Sequence, residues 1–451
     1  MIDRLARIVG AGHVITDPDV LATRSVDWTG RYRGSAAALV RPGSAAEVAA
    51  VLRACRDTGA PVTVQGGCTS LVAGTVPEHH DVLLSTERLT GVGEVDRAGR
   101  TLTAGSGVTL ATAQRVAAEA GLRVGVDLSA RDSATIGGMA STNAGGLRTV
   151  RYGNMAEQVL GLQVALPDGS LLRRHARVRC DNTGYDLTRL FVGAEGTLGV
   201  ITEVDLRLHR IPPHRIVALC GFTDLGALVA TARQLADLDT IAALELVDGG
   251  AVALASERLN LPVPVSGTWL LLVELAGDTD QGDLLATALE DAALDCTALT
   301  GEPALGLDTV GMQRLWQVRE ALAEVVGLFG PPLKFDVALP VPAVAAFAAR
   351  AAALTARVAP GARVVLFGHI GEGNLHLNLL GCSAREEAAV YQEMMALISA
   401  HDGNVSSEHG VGSRKRAYLS MSREPADIAV MRSIKAALDP TGFLNPAVLF
   451  D

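Results

Sequence analysis

The stretch DLSARDSATIGGMASTNAGGLR, Asp127–Arg148, sets two glycine pairs, Gly137-Gly138 and Gly145-Gly146, on either side of Ser141, Thr142 and Asn143. Earlier in the chain VQGGCTSL, Val64–Leu71, carries another glycine pair, Gly66-Gly67, beside Thr69 and Ser70, directly after a strand-like Pro61–Val64. A third stretch, DNTGYDLTRLFVGAEGTLGVI, runs from Asp181 to Ile201. A Gly-Gly turn between strands explains any one of these. Three in one region do not read that way, because every glycine ordered on folding loses extra backbone entropy. Loops that turn successive backbone N–H groups toward a diphosphate, with no side chain in the way, give that entropy a use, so the pattern implies a long polar ligand.

Outward from these loops, residues 36–211 alternate short β-rich runs with helices. Residues 45–58 place Val48, Val51, Leu52 and Cys55 on one helical face, with Gly59 as the stop. The pair Pro212-Pro213 after Ile211 marks a domain boundary. Beyond it come a strand over Ile216–Phe222, a helix over Leu225–Leu238, a strand over Trp269–Leu275, and a helix over 281–293, a βαβ-type alternation around a sheet. A helix over Ile428–Leu438, a turn at 439–442 and an extended Phe443–Pro446 close the chain. With 451 residues, 49% of them hydrophobic, two or three domains are expected. The formal charge of −10 argues against a nucleic-acid partner, which needs clustered cations. The six cysteines, Cys55, Cys68, Cys180, Cys220, Cys296 and Cys382, form no CxxC pair, so neither a disulfide framework nor an iron–sulfur cluster is expected, and a reducing cytoplasmic setting fits. Residues 1–12 read as a short amphipathic helix without the apolar stretch of an export signal. No membrane-spanning segment is expected, since the apolar run at Trp269–Leu275 falls far short of the roughly 20 residues a bilayer requires.

A second chemical signal lies toward the C-terminus. In GHIGEGNLHLN, Gly368–Asn378, strand alternation puts His376 and Asn378 on one face, with His369 arriving from the preceding turn. SSEHGVG, Ser406–Gly412, adds Glu408 and His409 beside glycines. Two imidazoles and a carboxylate with an open fourth position are a catalytic zinc ligand set, although core or surface histidines satisfied by hydrogen bonds would look the same in sequence. Arg319 and Lys334, in LWQVRE and LKFD, are cations that a carboxylate substrate would need, arginine by its bidentate geometry, although each taken singly reads as a solvated surface charge.

The three glycine-rich stretches, in this order and spacing, resemble the FAD-binding domain of the vanillyl-alcohol oxidase and p-cresol methylhydroxylase superfamily. NAGGLRTVRYGN and DNTGYDLTRLFVGAEGTLGVIT resemble its D-2-hydroxyglutarate and D-lactate dehydrogenase branch in particular. The resemblance implies an α+β chain: a two-subdomain FAD-binding domain over 1–211, a ferredoxin-like α/β substrate (cap) domain over 212–420 with the metal site, and a segment over 421–451 returning to the FAD domain. It implies that Gln65, Gly66, Gly67, Cys68, Thr69, Ser70 and Leu71 hold the FAD diphosphate. Ser133, Thr135, Ile136, Gly137, Ser141, Asn143, Gly145, Glu195 and Ile201 would line the flavin and adenosine, with Asn445 as a C-terminal contact. It further implies that His369, His376 and Glu408 bind zinc or another divalent metal, that Arg319, Lys334 and Asn378 bind substrate, and that His409 is the catalytic base.

Cys68 stands where relatives carry Asn or a flavin-linking histidine, and this branch holds FAD non-covalently. Ala323 stands where the hydroxyglutarate enzymes have a threonine four residues beyond the arginine. The expected reaction is oxidation of a D-2-hydroxy acid, D-2-hydroxyglutarate first, to the 2-oxo acid with hydride transfer to flavin N5. D-lactate or glycolate dehydrogenase, or a metal-free oxidase using O2, are the alternatives. An electron carrier such as electron-transferring flavoprotein or quinone is the expected acceptor, and a homodimer stays open.

Overall fold

The computed structural model describes residues 1–175, 182–294 and 298–450. Cys180, Cys296 and Asp181, the first residue of the third glycine-rich stretch, lie outside the described residues. The chain divides into two compact units: Met1–Gly146, Tyr152–Ile211 and Glu408–Asp451 form one, and Leu147–Arg151 with Pro212–Ser407 form the other. The expected break after Ile211 coincides with the paired prolines. The return comes at Glu408 rather than near 420, because Val411 and Gly412 are already hydrogen-bonded into the first unit.

The first unit holds two sheets. In one, the strands run in the order Val14–Ile15, Ala36–Val40, Asp81–Ser85, Val62–Gln65, the last three parallel. Helix Ala45–Thr58 is capped by the Ser44 side chain and ended by Gly59 at φ 65°. Its Val48, Val51, Leu52 and Cys55 are fully buried in the core that also contains Val62, Val82 and Leu84. The other sheet is antiparallel, in the order Thr101–Gly105, Val200–Arg210, Val159–Ala165, Leu171–Arg174, with Leu122–Val124 also paired to the long strand. The C-terminus returns as expected. Helix Pro425–Leu438 starts three residues earlier than its apolar pattern suggests, with proline in its first turn and a Glu424–Asp427 capping box. Beyond it, the Phe443 carbonyl accepts from Val62 N–H (2.8 Å) and Asn445 N–H donates to the Val62 carbonyl (2.7 Å).

The second unit is built on one seven-stranded sheet, in the order Ala304–Gly306, His214–Phe222, Trp269–Gly277, Ile241–Asp248, Arg363–His369, Asn374–Leu380, Leu333–Ala338. Every neighbouring pair is antiparallel. Strands His214–Phe222 and Ile241–Asp248 are joined by helix Leu225–Ala236, and Trp269–Gly277 is inserted between them, the split βαβ arrangement of ferredoxin-like sheets. Helix Thr309–Val325 covers one face with Leu315, Trp316, Val318 and Leu322. Glu274, which interrupts the apolar run, lies fully buried inside strand Trp269–Gly277, accepting from Arg148, Arg215 and the Trp316 indole. Burial raises the Glu274 carboxyl, yet Arg148 and Arg215 outweigh that and hold it below the usual carboxylate range.

One helical stretch, Val341–Val358, is long and apolar enough to cross a membrane by length and composition, with mean hydropathy 1.3. The sequence reading missed it, because that reading weighed the Trp269–Leu275 run and this stretch is dominated by alanine. Its Val344, Phe347, Ala351 and Thr355 are buried at three- and four-residue spacing. It packs on helices Leu225–Ala236 and Glu387–Ser399 and on strand Arg363–His369, the pattern of an amphipathic helix laid on a sheet.

Candidate functional site

Within the first unit the glycine-rich loops converge on a cleft that opens to solvent. Of the residues expected to touch a cofactor, Gly66, Ser70, Gly137, Ser141, Glu195, Ile201 and Asn445 line it. So does Gly138 of the quoted pair, and so do Thr75, Thr86, Ser106 and Gly196, which the sequence reading did not single out.

Several expected contacts serve the loops instead and are not among the lining residues. The Gln65 amide donates to the Arg24 and Thr75 carbonyls (2.8 and 2.9 Å). A Cβ on Gly67 would stand 2.0 Å from the Ser133 carbonyl oxygen, so loop-on-loop packing requires glycine here. The Thr135 hydroxyl caps helix Ile136–Thr142, Ile136 is fully buried in the core, and the Asn143 side chain accepts from Ala156 N–H (2.8 Å). Thr69, Leu71, Ser133 and Gly145 also lie off the lining. Cys68 takes a positive φ of 53°, and burial pushes its thiol above the ordinary value, which disfavours the reactive thiolate.

The cleft fits a long polar cofactor. Its lining is mainly glycine and hydroxyl side chains, with Val64, Val200 and Ile201 beside them, and Ser106 Oγ is fully buried with no partner among the described residues, a donor and acceptor that a bound polar ligand would satisfy. Asn445 ties two of its walls: Oδ1 accepts from Val64 N–H (2.8 Å) and Nδ2 donates to the Glu195 carbonyl (2.7 Å). The Glu195 carboxylate accepts from Val411 N–H (2.8 Å) and Gly412 N–H (2.7 Å), anchoring the loop that bears Glu408 and His409. Burial raises the Glu195 carboxyl, and those two N–H groups and Lys415 oppose the rise. In that loop, His409 Nε2 lies 3.9 Å from Glu408 Oε1.

Within the second unit, strand register does the assembling. Asp336 lies opposite His376 and Lys334 opposite Asn378; on the other side, Phe367 faces His376 and Glu245 faces His369. Alternation puts all of these on the sheet face that helix Thr309–Val325 covers. The His369 and His376 rings meet edge to face, centroids 5.5 Å apart. His369 Nδ1 is 2.5 Å from Glu245 Oε1, and Arg319 Nε donates to Glu245 Oε2 at 2.6 Å while its guanidinium stacks over Phe367. Burial raises the Glu245 carboxyl, but His369 and Arg319 outweigh it and hold it below its ordinary value. His376 Nδ1 lies 4.0 Å from Asp336 Oδ1, and Asp336 Oδ2 accepts from Ser407 N–H (3.0 Å). Asn378 Nδ2 donates to the His376 carbonyl at 3.2 Å. Lys334 is different: burial alone pushes its ammonium below the ordinary lysine value, and no counter-charge among the described residues meets it.

Glu245 was missed in the sequence although its signal was present, a carboxylate inside the otherwise apolar run 241–247 of strand Ile241–Asp248. Such residues are almost never fully buried unless paired. Asp336 was read only as part of LKFD, because its place opposite His376 depends on register.

Comparison with known proteins follows the same division. Residues 36–174 match the FAD binding domain family, and residues 211–449 match the family described as FAD linked oxidases, C-terminal domain. Mitochondrial D-2-hydroxyglutarate dehydrogenase of Danio rerio is 36% identical over 442 residues, covering 96% of this chain and 82% of that protein. D-2-hydroxyglutarate dehydrogenase of Stutzerimonas stutzeri is 33% identical over 460 residues, covering 100% and 98%. The chain belongs to the D-2-hydroxyglutarate dehydrogenase family of FAD-linked oxidases. Among solved structures, p-cresol methylhydroxylase superposes with a TM-score of 0.81 at 16% identity, covering 100% of this chain and 96% of that one. The 4-ethylphenol oxidase of Gulosibacter chungangensis gives 0.80 at 17%, with the same coverage. For this family member those two likenesses establish the fold: the vanillyl-alcohol oxidase type of FAD-binding domain with an α+β second unit, as expected from the glycine-rich stretches.

Proposed function

We propose that this protein oxidises D-2-hydroxyglutarate, or a closely related D-2-hydroxy acid, to the 2-oxo acid with non-covalently bound FAD. The carrying observation is Lys334, a largely buried ammonium with no counter-charge among the described residues, directly opposite Asn378 on the sheet face that also bears His369 and His376. Arg319 supports it: Nε is engaged by Glu245, while its two Nη groups meet no acceptor among the described residues. Two cations with open donors suit an acid with carboxylate groups.

The residues His369, His376 and Glu408 are the proposed ligands of a divalent metal, zinc first. The donor set fits. Glu245 engages His369 at Nδ1, so Nε2 is the nitrogen that would ligate a metal, and Glu408 follows directly on Ser407, whose N–H is bonded to Asp336 opposite His376. When bound, FAD supplies a two-electron acceptor for the hydride leaving C2, and the metal supplies a Lewis acid that makes the C2 hydroxyl more acidic. Lys334 and Arg319 hold the substrate carboxylates and so fix which face of C2 is presented. His409, as the neutral imidazole, takes the hydroxyl proton at Nε2 or Nδ1. Asn378 donates an amide hydrogen bond to the bound acid. An electron carrier, flavoprotein or quinone, then reoxidises the protein.

Anaerobic mixing of the yellow protein with D- and L-2-hydroxy acids tests the reading. Bleaching by D-2-hydroxyglutarate but not its L enantiomer is expected, and the substitution His409→Ala should abolish it without loss of colour. Flavin left oxidised by the whole panel contradicts the activity, and normal bleaching in H409A contradicts the base.

A further inference from the structure

We infer that Glu245 is a positioning residue that sets two working groups at once: Oε1 fixes the tautomer and orientation of His369, and Oε2 aims the open end of Arg319. The inference rests on the proposed roles of His369 and Arg319, and goes beyond them by making those roles interdependent through one side chain.

Glu245 is 1% exposed and sits in the middle of the sheet, directly opposite His369. It has two carboxylate oxygens and spends one on each partner, 2.5 Å to His369 Nδ1 and 2.6 Å to Arg319 Nε. A carboxylate oxygen at Nδ1 places the ring proton on that nitrogen and makes Nε2 the one that would ligate a metal. The contact to Nε, rather than to the fork of Nη groups, leaves Arg319 its bidentate end for a carboxylate. Phe367 beneath the guanidinium, at 4.7 Å from the ring centroid, holds its plane. Neither partner is near Glu245 in sequence: Arg319 lies 74 residues on and His369 lies 124 residues on.

A scaffold residue would lower stability when changed and leave the folded protein's ligand chemistry alone. A positioning residue moves both ligands. The substitution Glu245→Gln offers one acceptor and one donor: with its oxygen on Arg319 Nε–H the amide N–H meets His369 Nδ1 and drives the ring proton to Nε2, and with its oxygen on His369 the amide N–H faces the Arg319 Nε–H, so one of the two settings is lost either way. In the FAD-loaded protein, E245Q should bind zinc roughly 10- to 100-fold more weakly in chelator competition and raise KM for D-2-hydroxyglutarate, with FAD content unchanged. Glu245→Asp keeps the charge that neutralises Arg319 but is one methylene short of spanning both partners. It is the variant to read if E245Q does not fold, and the same two losses are expected. Arg319→Lys is the control: KM should rise while zinc affinity stays as in the wild type. Variants at Glu245 whose zinc affinity and KM both match the wild type overturn the inference. A wild-type protein that binds no divalent metal overturns the metal assignment itself and, with it, the His369 half of the inference, whereas a metal-binding wild type with an indifferent E245Q overturns Glu245 alone.

Discussion

Asn445→Ala should weaken the flavin cleft far more than the loss of one surface amide would. Asn445 is 3% exposed, and its side chain bonds to Val64 N–H at 2.8 Å and to the Glu195 carbonyl at 2.7 Å, both on residues that line the cleft. Removing it strands one buried donor and one buried acceptor, each worth about 1–3 kcal/mol when left unmade. Alanine must also hold the left-handed conformation at φ 45°, which asparagine tolerates and alanine resists by about 1 kcal/mol. In the cofactor-free protein, water entering the cleft satisfies part of this, so roughly 2–3 kcal/mol is expected, a fall in Tm of about 4–12 °C. Bound FAD would exclude that water, so the remaining penalty appears as weaker binding; a difference of about 1.4–2.8 kcal/mol is a 10- to 100-fold rise in Kd. Thermal melts of the apoprotein and flavin-fluorescence titration read the two quantities separately. The substitution Asn445→Asp restores the acceptor for Val64 but faces the Glu195 carbonyl with a second acceptor, so FAD affinity should not recover. An N445A protein with wild-type Tm and wild-type FAD affinity would refute the reasoning.

Two further expectations follow from the same geometry. Because burial holds the Lys334 ammonium below its ordinary value, the charge that grips the substrate is lost at lower pH than in a free lysine; KM should climb on the alkaline side, and K334R, whose guanidinium stays charged, should keep it flat. The sign for stability is the opposite, the apoprotein gaining as pH rises through that depressed value, since the unfolded chain binds the extra proton. Gly67→Ala must push the Ser133 backbone back by about an ångström, and should yield protein that loses FAD on gel filtration, whereas Gly12→Ala, with nothing within 4 Å, should behave as wild type.

What the sequence made legible was local. The glycine pairs, the helix over 45–58, the proline break after Ile211 and the C-terminal return each carry their signal within a few residues, and the structure has them. The paired charges were not legible in that way. Glu245 finds Arg319 and His369, and Glu274 finds Arg148 and Arg215, only because strand register and one covering helix bring them together, and no spacing rule encodes that. The second unit ends at Ser407, not near 420, for a similar reason: the chain is recaptured by Glu195, more than two hundred residues earlier, through the backbone N–H groups of Val411 and Gly412. Glycine was also read too simply. A side chain at Gly67 or Gly137 would strike Ser133 or Ser106, so loop packing as well as the cleft that Gly137 lines requires glycine there.

The central claim is a metal-assisted dehydrogenase, and one measurement addresses it directly: anaerobic single-turnover bleaching of the flavin by D-2-hydroxyglutarate before and after chelation, then after zinc is returned. The protein should stay yellow and unreduced when stripped, with its reduction rate restored by zinc. A stripped protein that bleaches at the original rate would contradict the account.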